Sequence, residues 1–267
     1  MPDPTILVVL PTLGDRLETF EETLQSIDEQ RRDVELTLVV IAPVQAEAAR
    51  ELAARHGAVV VDDPKKGISE AINRGLAVRT VETFYAWIGD DDLFRPGGLA
   101  QLRELLADDS AVLAFGGCDY IDPEGRTIAV SSAGSLARFL LPWGPDLIPH
   151  PGTMVRLDAL EAIGGFDVRL KYAMDLDAFL KLRRLGRFAF TRRSVSAFRW
   201  HPESLTVANR RHSSLESEKV KRRHLPVPLR PISPLWQYPV RWASSLAARG
   251  LNARARSLRD ASGPALG

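Results

Sequence analysis

Three consecutive aspartates, Asp90, Asp91 and Asp92, form the most informative local feature of the sequence. They directly follow the apolar segment 84–88, which has the composition of a buried strand. Adjacent carboxylates repel one another, and a hard divalent cation such as Mn²⁺ or Mg²⁺ makes such crowding favourable. The triplet therefore indicates a metal site that also takes a substrate diphosphate. The alternative is a solvated acidic turn that caps the following helix.

The elements that position these aspartates follow from short apolar runs that alternate with helical patterns in the first half of the chain. This alternation is typical of βαβ units and predicts an α/β fold with a Rossmann-like, mostly parallel central sheet flanked by helices. The predicted strands are 5–10, 34–42, 58–61, 85–88 and 111–115. The predicted helices between them are 18–29, 45–56, 68–78 and 97–106.

Ligands of open α/β sheets bind beyond the carboxyl ends of the strands, which directs attention to the loops after these strands. The first loop contains Pro11, Thr12 and Leu13, which would otherwise serve only to terminate a strand. Lys66 and Gly67 precede a helix whose amino end favours phosphate, although a loop lysine can be merely solvated.

The second half has shorter elements after residue 117. They comprise a hairpin-like turn at 122–125, a loop rich in Trp, Pro and Gly at 142–151, and helices near 157–163 and 175–185. This pattern predicts a smaller subdomain laid over the same sheet.

Composition and length bound the class of protein. A chain of 267 residues is long enough to bury a substantial core, and its one cysteine, Cys118, excludes an internal disulfide. Neither a secretory signal nor an apolar stretch of membrane-spanning length is apparent. We expect a cytoplasmic protein, at most peripheral to the inner face of the cell membrane.

The C-terminal region differs in charge from the rest of the chain. Residues 1–209 carry 23 Lys and Arg against 31 Asp and Glu, whereas residues 210–267 carry 12 against 3. Spaced prolines predict a basic linker, followed by a short amphipathic helix over 235–251. Anionic lipid, nucleic acid or an acidic subunit would each suit such a tail. Aromatic residues interleaved with Arg241 favour peripheral membrane contact, and the acidic first half argues against nucleic acid.

Four segments together resemble the family 2 glycosyltransferases of the GT-A fold. They are Val-Val-Leu-Pro-Thr-Leu at 8–13, Lys-Gly-Ile-Ser-Glu-Ala-Ile-Asn-Arg-Gly at 66–75, Trp-Ile-Gly-Asp-Asp-Asp-Leu at 87–93, and Gly-Gly-Phe-Asp at 164–167 continued by Asp-Leu-Asp at 175–177. The similarity lies in their order and spacing over residues 5–206. It implies a glycosyltransferase domain over 1–209, with a nucleotide-sugar half at 1–117, an acceptor-side half at 118–209 and an extension at 210–267.

The resemblance implies an inverting, metal-dependent transfer from a nucleotide-diphosphate sugar, a UDP-sugar above all, to a glycan or lipid-linked acceptor. On the donor side, Asp90 would approach the ribose, Asp92 would hold the metal, and Asp91 would support them. The residues placed with the nucleotide are Pro11, Thr12, Leu13, Arg16, Lys66, Gly67 and Asn73. One departure concerns the base: Ile41-Ala42-Pro43 stands where typical members have an Asp-rich turn.

On the acceptor side, Asp175 is implied as the catalytic base, with helix capping as its alternative role. Asp177 is the reserve candidate. Met174 stands where many relatives have Glu, which indicates a different pocket. His201 would ligate the metal or bind the leaving diphosphate, and His150 would line the acceptor side, although a lone histidine is often structural.

Two other functions fit parts of this pattern. A sugar nucleotidyltransferase would use a glycine-rich loop and a basic residue after the first strand, for which Leu13-Gly14-Asp15-Arg16 is a thin version. A non-catalytic nucleotide-sugar-binding subunit of a polysaccharide-assembly complex would need neither metal nor base.

Overall fold

One sheet organises the part of the chain that the computed structural model describes, which is residues 5–131, 134–200 and 209–261. Its strands are β1 (Ile6–Pro11), β2 (Leu36–Ala42), β3 (Val59–Asp62), β4 (Phe84–Trp87), β5 (Leu93–Phe94), β6 (Ala111–Ile121), β7 (Thr127–Ser131), β8 (Thr153–Arg156) and β9 (Arg187–Arg199). In the order β3-β2-β1-β4-β8-β6-β9-β5, β8 and β5 oppose the other strands, and β7 pairs antiparallel with β6. The predicted mostly parallel sheet is confirmed.

Helices cover both faces of the sheet. They are α1 (Leu17–Gln30), α2 (Glu47–Arg55), α3 (Ile68–Leu76), α4 (Gly98–Leu105), α5 (Ser135–Leu140), α6 (Leu157–Ala162), α7 (Met174–Leu182), α8 (Arg210–His224) and α9 (Pro234–Ala261). Alternate residues of β1 point into two different cores. Leu7 and Val9 pack with α3 and α7, whereas Val8 and the other residues on its face of the strand pack with α1, α2 and α4. Burial on both faces explains why the strand sequences are continuously apolar.

The predicted elements of the first half all occur, with ends that differ by a few residues. The largest difference is β6, which continues to Ile121 instead of ending at residue 115. This strand runs through the proposed boundary between residues 117 and 118, so both halves share one sheet. The division into a nucleotide-sugar half and an acceptor-side half therefore stays a prediction.

The predicted linker after residue 209 was wrong in secondary structure, since Arg210–His224 is a helix. Its sequence is strongly polar, and only a few apolar side chains such as Val220 are buried, so no apolar stripe marked it as a helix. The predicted helix over 235–251 lies within the longer α9, which contains Pro239. Among the described residues, no helix combines the length and the apolar character needed to cross a membrane.

Candidate active site

The site lies where β1 and β4, paired in parallel, end at the same edge of the sheet. The loop after β1 and the Asp90–Asp92 triplet meet there through side-chain contacts. The Thr12 hydroxyl donates a hydrogen bond of 2.6 Å to Asp90 Oδ2. An Arg16 guanidinium nitrogen lies 2.5 Å from Asp91 Oδ2 and 3.9 Å from Asp90 Oδ1. Thr12, Arg16, Asp90 and Asp91 thus form one cluster.

Asp92 is the most enclosed member of the triplet, with 1% of its surface exposed. Its Oδ1 accepts a hydrogen bond from the Arg199 amide at 3.0 Å, and its carbonyl accepts one from the Thr23 hydroxyl at 2.8 Å. Burial raises the pKa of Asp92 well above its usual value, and the Asp91 charge raises it further. Burial likewise raises the pKa of Asp90. Ionised carboxylates here need a compensating charge, which is the property of a cation site.

Arg199, at the end of β9, is a site residue that the sequence analysis missed. Its side chain is 4% exposed, and it donates to the Asp91 carbonyl at 2.9 Å and the Pro123 carbonyl at 2.6 Å, and pairs with Glu22 at 2.5 Å. Arg199 therefore ties the acidic loop to β9 and to α1. No local motif marks this residue, because its partners lie 76 to 177 positions away.

His150 lies in an aromatic enclosure next to Trp87, the last residue of β4. Its ring stacks on Trp87 with a centroid distance of 4.3 Å and an interplanar angle of 14°. Phe166 and Phe179 flank it, and the Tyr85 hydroxyl lies 3.5 Å from Nε2. Burial lowers the pKa of His150 to about 3, so the imidazole is neutral at physiological pH. It is therefore a neutral polar group and not a cation.

Asp175 is the second residue of α7, and its carboxylate faces His150. The closest approach is 4.0 Å between His150 Nδ1 and Asp175 Oδ2, which is too long for a direct hydrogen bond, and the neutral imidazole makes no ion pair with it. Asp175 Oδ1 accepts the Leu176 amide at 2.8 Å. Burial, with the negative charge of Asp146, raises the pKa of Asp175 to about 7. A carboxyl that titrates near neutrality suits a general base.

Asp177, the reserve candidate for the base, is held in a separate cluster. It is fully buried, accepts a hydrogen bond from His224 Nε2 at 2.8 Å, and lies 2.8 Å from Lys181 Nζ. These contacts with α8 and α7 lower its pKa despite burial. Because 100° separates successive helical residues, Asp175 and Asp177 project about 200° apart. Asp177 therefore has a structural position, away from the His150 side.

Asn73 lies on α3 and fixes the loop that leads to Asp175. Its Nδ2 donates to the Phe166 carbonyl at 2.8 Å, and its Oδ1 accepts the Phe166 amide at 3.0 Å. At the preceding Gly165, φ is +69°, and a Cβ would lie 2.9 Å from Asn73 Oδ1. Within the described residues, these bonds give Asn73 a loop-fixing position, and the Ser69 hydroxyl adds a bond of 2.9 Å to the Leu170 carbonyl.

The remaining predicted residues differ in accessibility. Leu13 is 58% exposed beyond the partly buried Pro11, and Lys66 and Gly67 are exposed where α3 begins. His201 lies outside the described residues. Within them, no group of three or more His, Cys, Asp or Glu side chains has the closeness of a complete metal site.

Two further features concern the alternative function of a sugar nucleotidyltransferase. A Cβ at Gly14 would lie 2.5 Å from that of Ala46, so this glycine serves close packing with α2, and Arg16 is engaged by the triplet. Neither is arranged as a free triphosphate-binding loop. A cavity of about 700 Å³ lies elsewhere, between α4 and the side chains of Phe84, Arg156 and Arg193. It contains none of the residues of the acidic edge.

The sheet, its flanking helices and the acidic edge after β4 together have the form of a GT-A glycosyltransferase. The chain belongs to glycosyl transferase family 2, whose model matches residues 7–164, more than half of the chain. The family resemblance seen in the motifs is confirmed. No curated protein shows significant sequence similarity to the chain.

Solved structures of similar fold include TarS 1–349 of S. aureus in complex with UDP-GlcNAc. It has a TM-score of 0.63 and 14% identity, over 82% of this chain and 66% of that chain. The chain thus spans just under two thirds of that structure, and 44% of the longer S. aureus TarS structure. The mannosyltransferase PcManGT of Pyrobaculum calidifontis, in complex with GDP-Man and Mn²⁺, has a TM-score of 0.62 and 20% identity, over 98% of this chain and 76% of that chain. These likenesses show the fold.

Proposed function

We propose that the protein transfers a sugar from a nucleotide-diphosphate donor, a UDP-sugar above all, to a hydroxyl of a glycan or lipid-linked acceptor with inversion. The observation that carries the proposal is the pair of contacts that His150 makes with Asp175 and with Trp87, the strand residue that leads into the aspartate triplet. Trp87, which contacts His150 beside Asp175, is three residues before Asp90. Three peptide units span at most about 11 Å between Cα atoms, which supports one shared cleft.

On the donor side, the cluster of Thr12, Arg16 and the triplet supports nucleotide binding. Because the Thr12 hydroxyl fixes one oxygen of Asp90, the carboxylate is oriented to accept hydrogen bonds from ribose hydroxyls. The exposed Leu13 supplies an apolar surface for the base of the nucleotide. Lys66 supplies a positive charge near the amino end of α3, where helix amides favour phosphate.

The acidic edge has the chemistry of a divalent cation site. Asp92 and its neighbours are hard oxygen donors of the kind that Mn²⁺ and Mg²⁺ prefer. Asp92 Oδ2 lies beside Gly89, where a Cβ would approach it to 3.0 Å, so the glycine avoids a tight contact with this oxygen. Asp92, with Asp91 beside it and His201 as a further candidate, would hold the ion. When bound, the cation supplies positive charge that stabilises the departing diphosphate.

On the acceptor side, Asp175 takes the proton of the attacking hydroxyl. The acceptor oxygen then bonds to the anomeric carbon while the bond from that carbon to the diphosphate breaks, so the configuration inverts. The neutral His150 orients the acceptor without competing for the proton, since its pKa is about 3. The raised pKa of Asp175 makes it an effective proton acceptor near neutrality.

The outward side of α9 supports contact with a lipid surface. Leu235, Tyr238, Trp242 and Leu246 form a stripe at helical spacing, exposed by 75, 59, 70 and 42%. The inward side is mixed: Gln237 donates to the Glu218 carbonyl and Arg241 pairs with Glu218, while Trp236 packs against Trp143. A surface helix normally turns its apolar side inward. The exposed apolar stripe, with the positive charge of region 210–267, fits an anionic membrane that presents a lipid-linked acceptor.

Calorimetric titration of the full chain with UDP, GDP and TDP, each with and without Mn²⁺, tests the donor and the cation. We expect one nucleotide to bind in the presence of Mn²⁺ and to lose most of that binding in Asp92→Asn. Asp108→Asn is the matched control, because Asp108 pairs with Arg187 away from the acidic edge. Failure of all three nucleotides to bind would refute the proposed donor class.

A further inference from the structure

Helix α8 is an integral part of the acceptor side. Val220 is fully buried in the core that contains α7, and the Lys221 ammonium donates a hydrogen bond to the Gly144 carbonyl. At its carboxyl end, His224 bonds to Asp177 of α7 at 2.8 Å. A helix placed outside the proposed catalytic domain, at its 209/210 boundary, thus packs against the helix that carries the proposed base.

Glu216 of α8 contacts the backbone segment that leads into α7 and the proposed base. Its carboxylate accepts three backbone N–H groups: Lys171 at 3.0 Å, Tyr172 at 2.6 Å and Ala173 at 2.8 Å. Ala173 is the N-cap residue of α7, and the helix has no side-chain cap bond from its own N-cap residue. The amino end of a helix leaves amides without intrahelical partners, and a carboxylate satisfies them strongly.

We propose that Glu216 is a positioning residue for Asp175, holding from α8 the turn of backbone that carries the proposed base. This inference rests on the proposed function only for the role of Asp175. Asp175 follows Ala173 by two residues, so the place and tilt of the first turn of α7 set where its carboxylate lies. Three bonds to one carboxylate restrain that turn more tightly than solvent would, and base catalysis is sensitive to displacements of about 1 Å.

The charge of Glu216 also acts on Asp175. The titratable groups that face Asp175 are His150, Tyr85, Asp146 and Glu216. His150 is neutral, and burial with the Asp175 charge raises the pKa of Tyr85, which keeps the phenol neutral. Burial first, then the charges of Asp146 and Glu216, raise the pKa of Asp175. Removal of the Glu216 charge therefore lowers the pKa of Asp175.

The experiment compares Glu216→Gln with Glu218→Gln in the full chain. Both changes remove one negative charge from α8, but Glu218 pairs with Arg241 of α9 and faces away from Asp175. For Glu216→Gln we expect kcat to fall about tenfold or more, the KM for the donor to stay within about twofold, and the acid limb of kcat to move to lower pH. Glu218→Gln should match the parent in all three. An unchanged kcat and acid limb in Glu216→Gln would overturn the proposal.

Hydrogen exchange without substrate separates this inference from the proposed function. The amides of residues 171–173 should exchange faster in Glu216→Gln than in Glu218→Gln, and unchanged exchange would refute the positioning role whether or not the protein transfers sugar. Absence of transfer by the parent would refute the proposed function alone. If Glu216→Gln folds poorly, Glu216→Asp keeps the charge with a shorter reach. It should lower kcat with an unshifted acid limb, and a parental kcat would count against positioning.

Discussion

His150 places its Nδ1 atom 4.0 Å from the Asp175 carboxylate, and its ring stacks on Trp87. One side chain therefore lies against both α7 and β4, the strand that precedes the aspartate triplet. The pair is not a catalytic dyad of the charge-paired kind, because the imidazole stays neutral above about pH 3. Under the proposed mechanism, an acceptor hydroxyl would be the partner of both groups.

The pH dependence of transfer should report Asp175 and not His150. The base acts only when it is ionised, and its pKa is raised to about 7, so kcat should rise with pH through about 7 and then level off. If kcat of Asp175→Asn and kcat of the parent had an inflection at the same pH, the titrating group would be a residue other than Asp175.

Fold stability should change in the opposite direction over the same titration. Because the folded pKa of Asp175 lies above its unfolded value of about 3.9, its contribution to stability is full below that value and is lost as pH rises through about 7. Urea unfolding of the parent and of Asp175→Asn between pH 4 and 8 measures this. The parent should lose stability relative to the variant as pH rises, and a constant difference would contradict the raised pKa.

Asp175→Asn should lower kcat by about 10² to 10⁴, the usual contribution of a general base. Donor binding should stay within a few-fold, because Asp175 lies on the acceptor side. Steady-state transfer with a radiolabelled nucleotide sugar, together with nucleotide titration, separates the two effects. A variant as active as the parent would remove Asp175 from the mechanism.

Asp177→Asn should act on stability instead of on the chemical step. Asp177 is buried between His224 and Lys181, and truncating one partner of a buried ion pair typically costs about 3 to 5 kcal/mol of folding free energy. Chemical denaturation should show this loss, while kcat per folded molecule stays above that of Asp175→Asn. A stable but inactive Asp177→Asn would make Asp177 the base and Asp175 a helix cap.

Binding to lipid should depend on the outward stripe of α9. Leu235→Ser with Trp242→Ser should weaken flotation with phosphatidylglycerol vesicles by about tenfold or more, because two large apolar side chains are lost from the interface. Val81→Ser with Leu185→Ser is the matched control, since these apolar residues are also exposed, at 78 and 50%, but lie away from α9. Equal flotation of both variants would exclude this stripe. Truncation at residue 209 is unsuitable for this test, because it also removes α8, which packs against α7.

Local sequence was sufficient to predict the first half of the fold and its acidic edge. Strands buried on both faces must be continuously apolar, so segments such as 36–42 are conspicuous between polar helices. The carboxyl end of such a strand is where a ligand loop stands, which located Asp90, Asp91 and Asp92 before any contact was known. The start of α7 was likewise predicted within one residue, at Asp175 instead of Met174.

Long-range packing decided the rest, because it pairs residues whose separation along the chain carries no pattern. Asp175 and Asp177 are alike in sequence, and only the docking of α8 against one side of α7 places Asp177 in an ion-pair cluster and leaves Asp175 beside His150. Arg199 reaches Glu22 across 177 positions, and Glu216 reaches Ala173 across 43. A polar helix such as α8 has few apolar residues to predict its place in the fold. Its position depends on hydrogen bonds and ion pairs with residues that are distant in sequence and come together only in the folded protein.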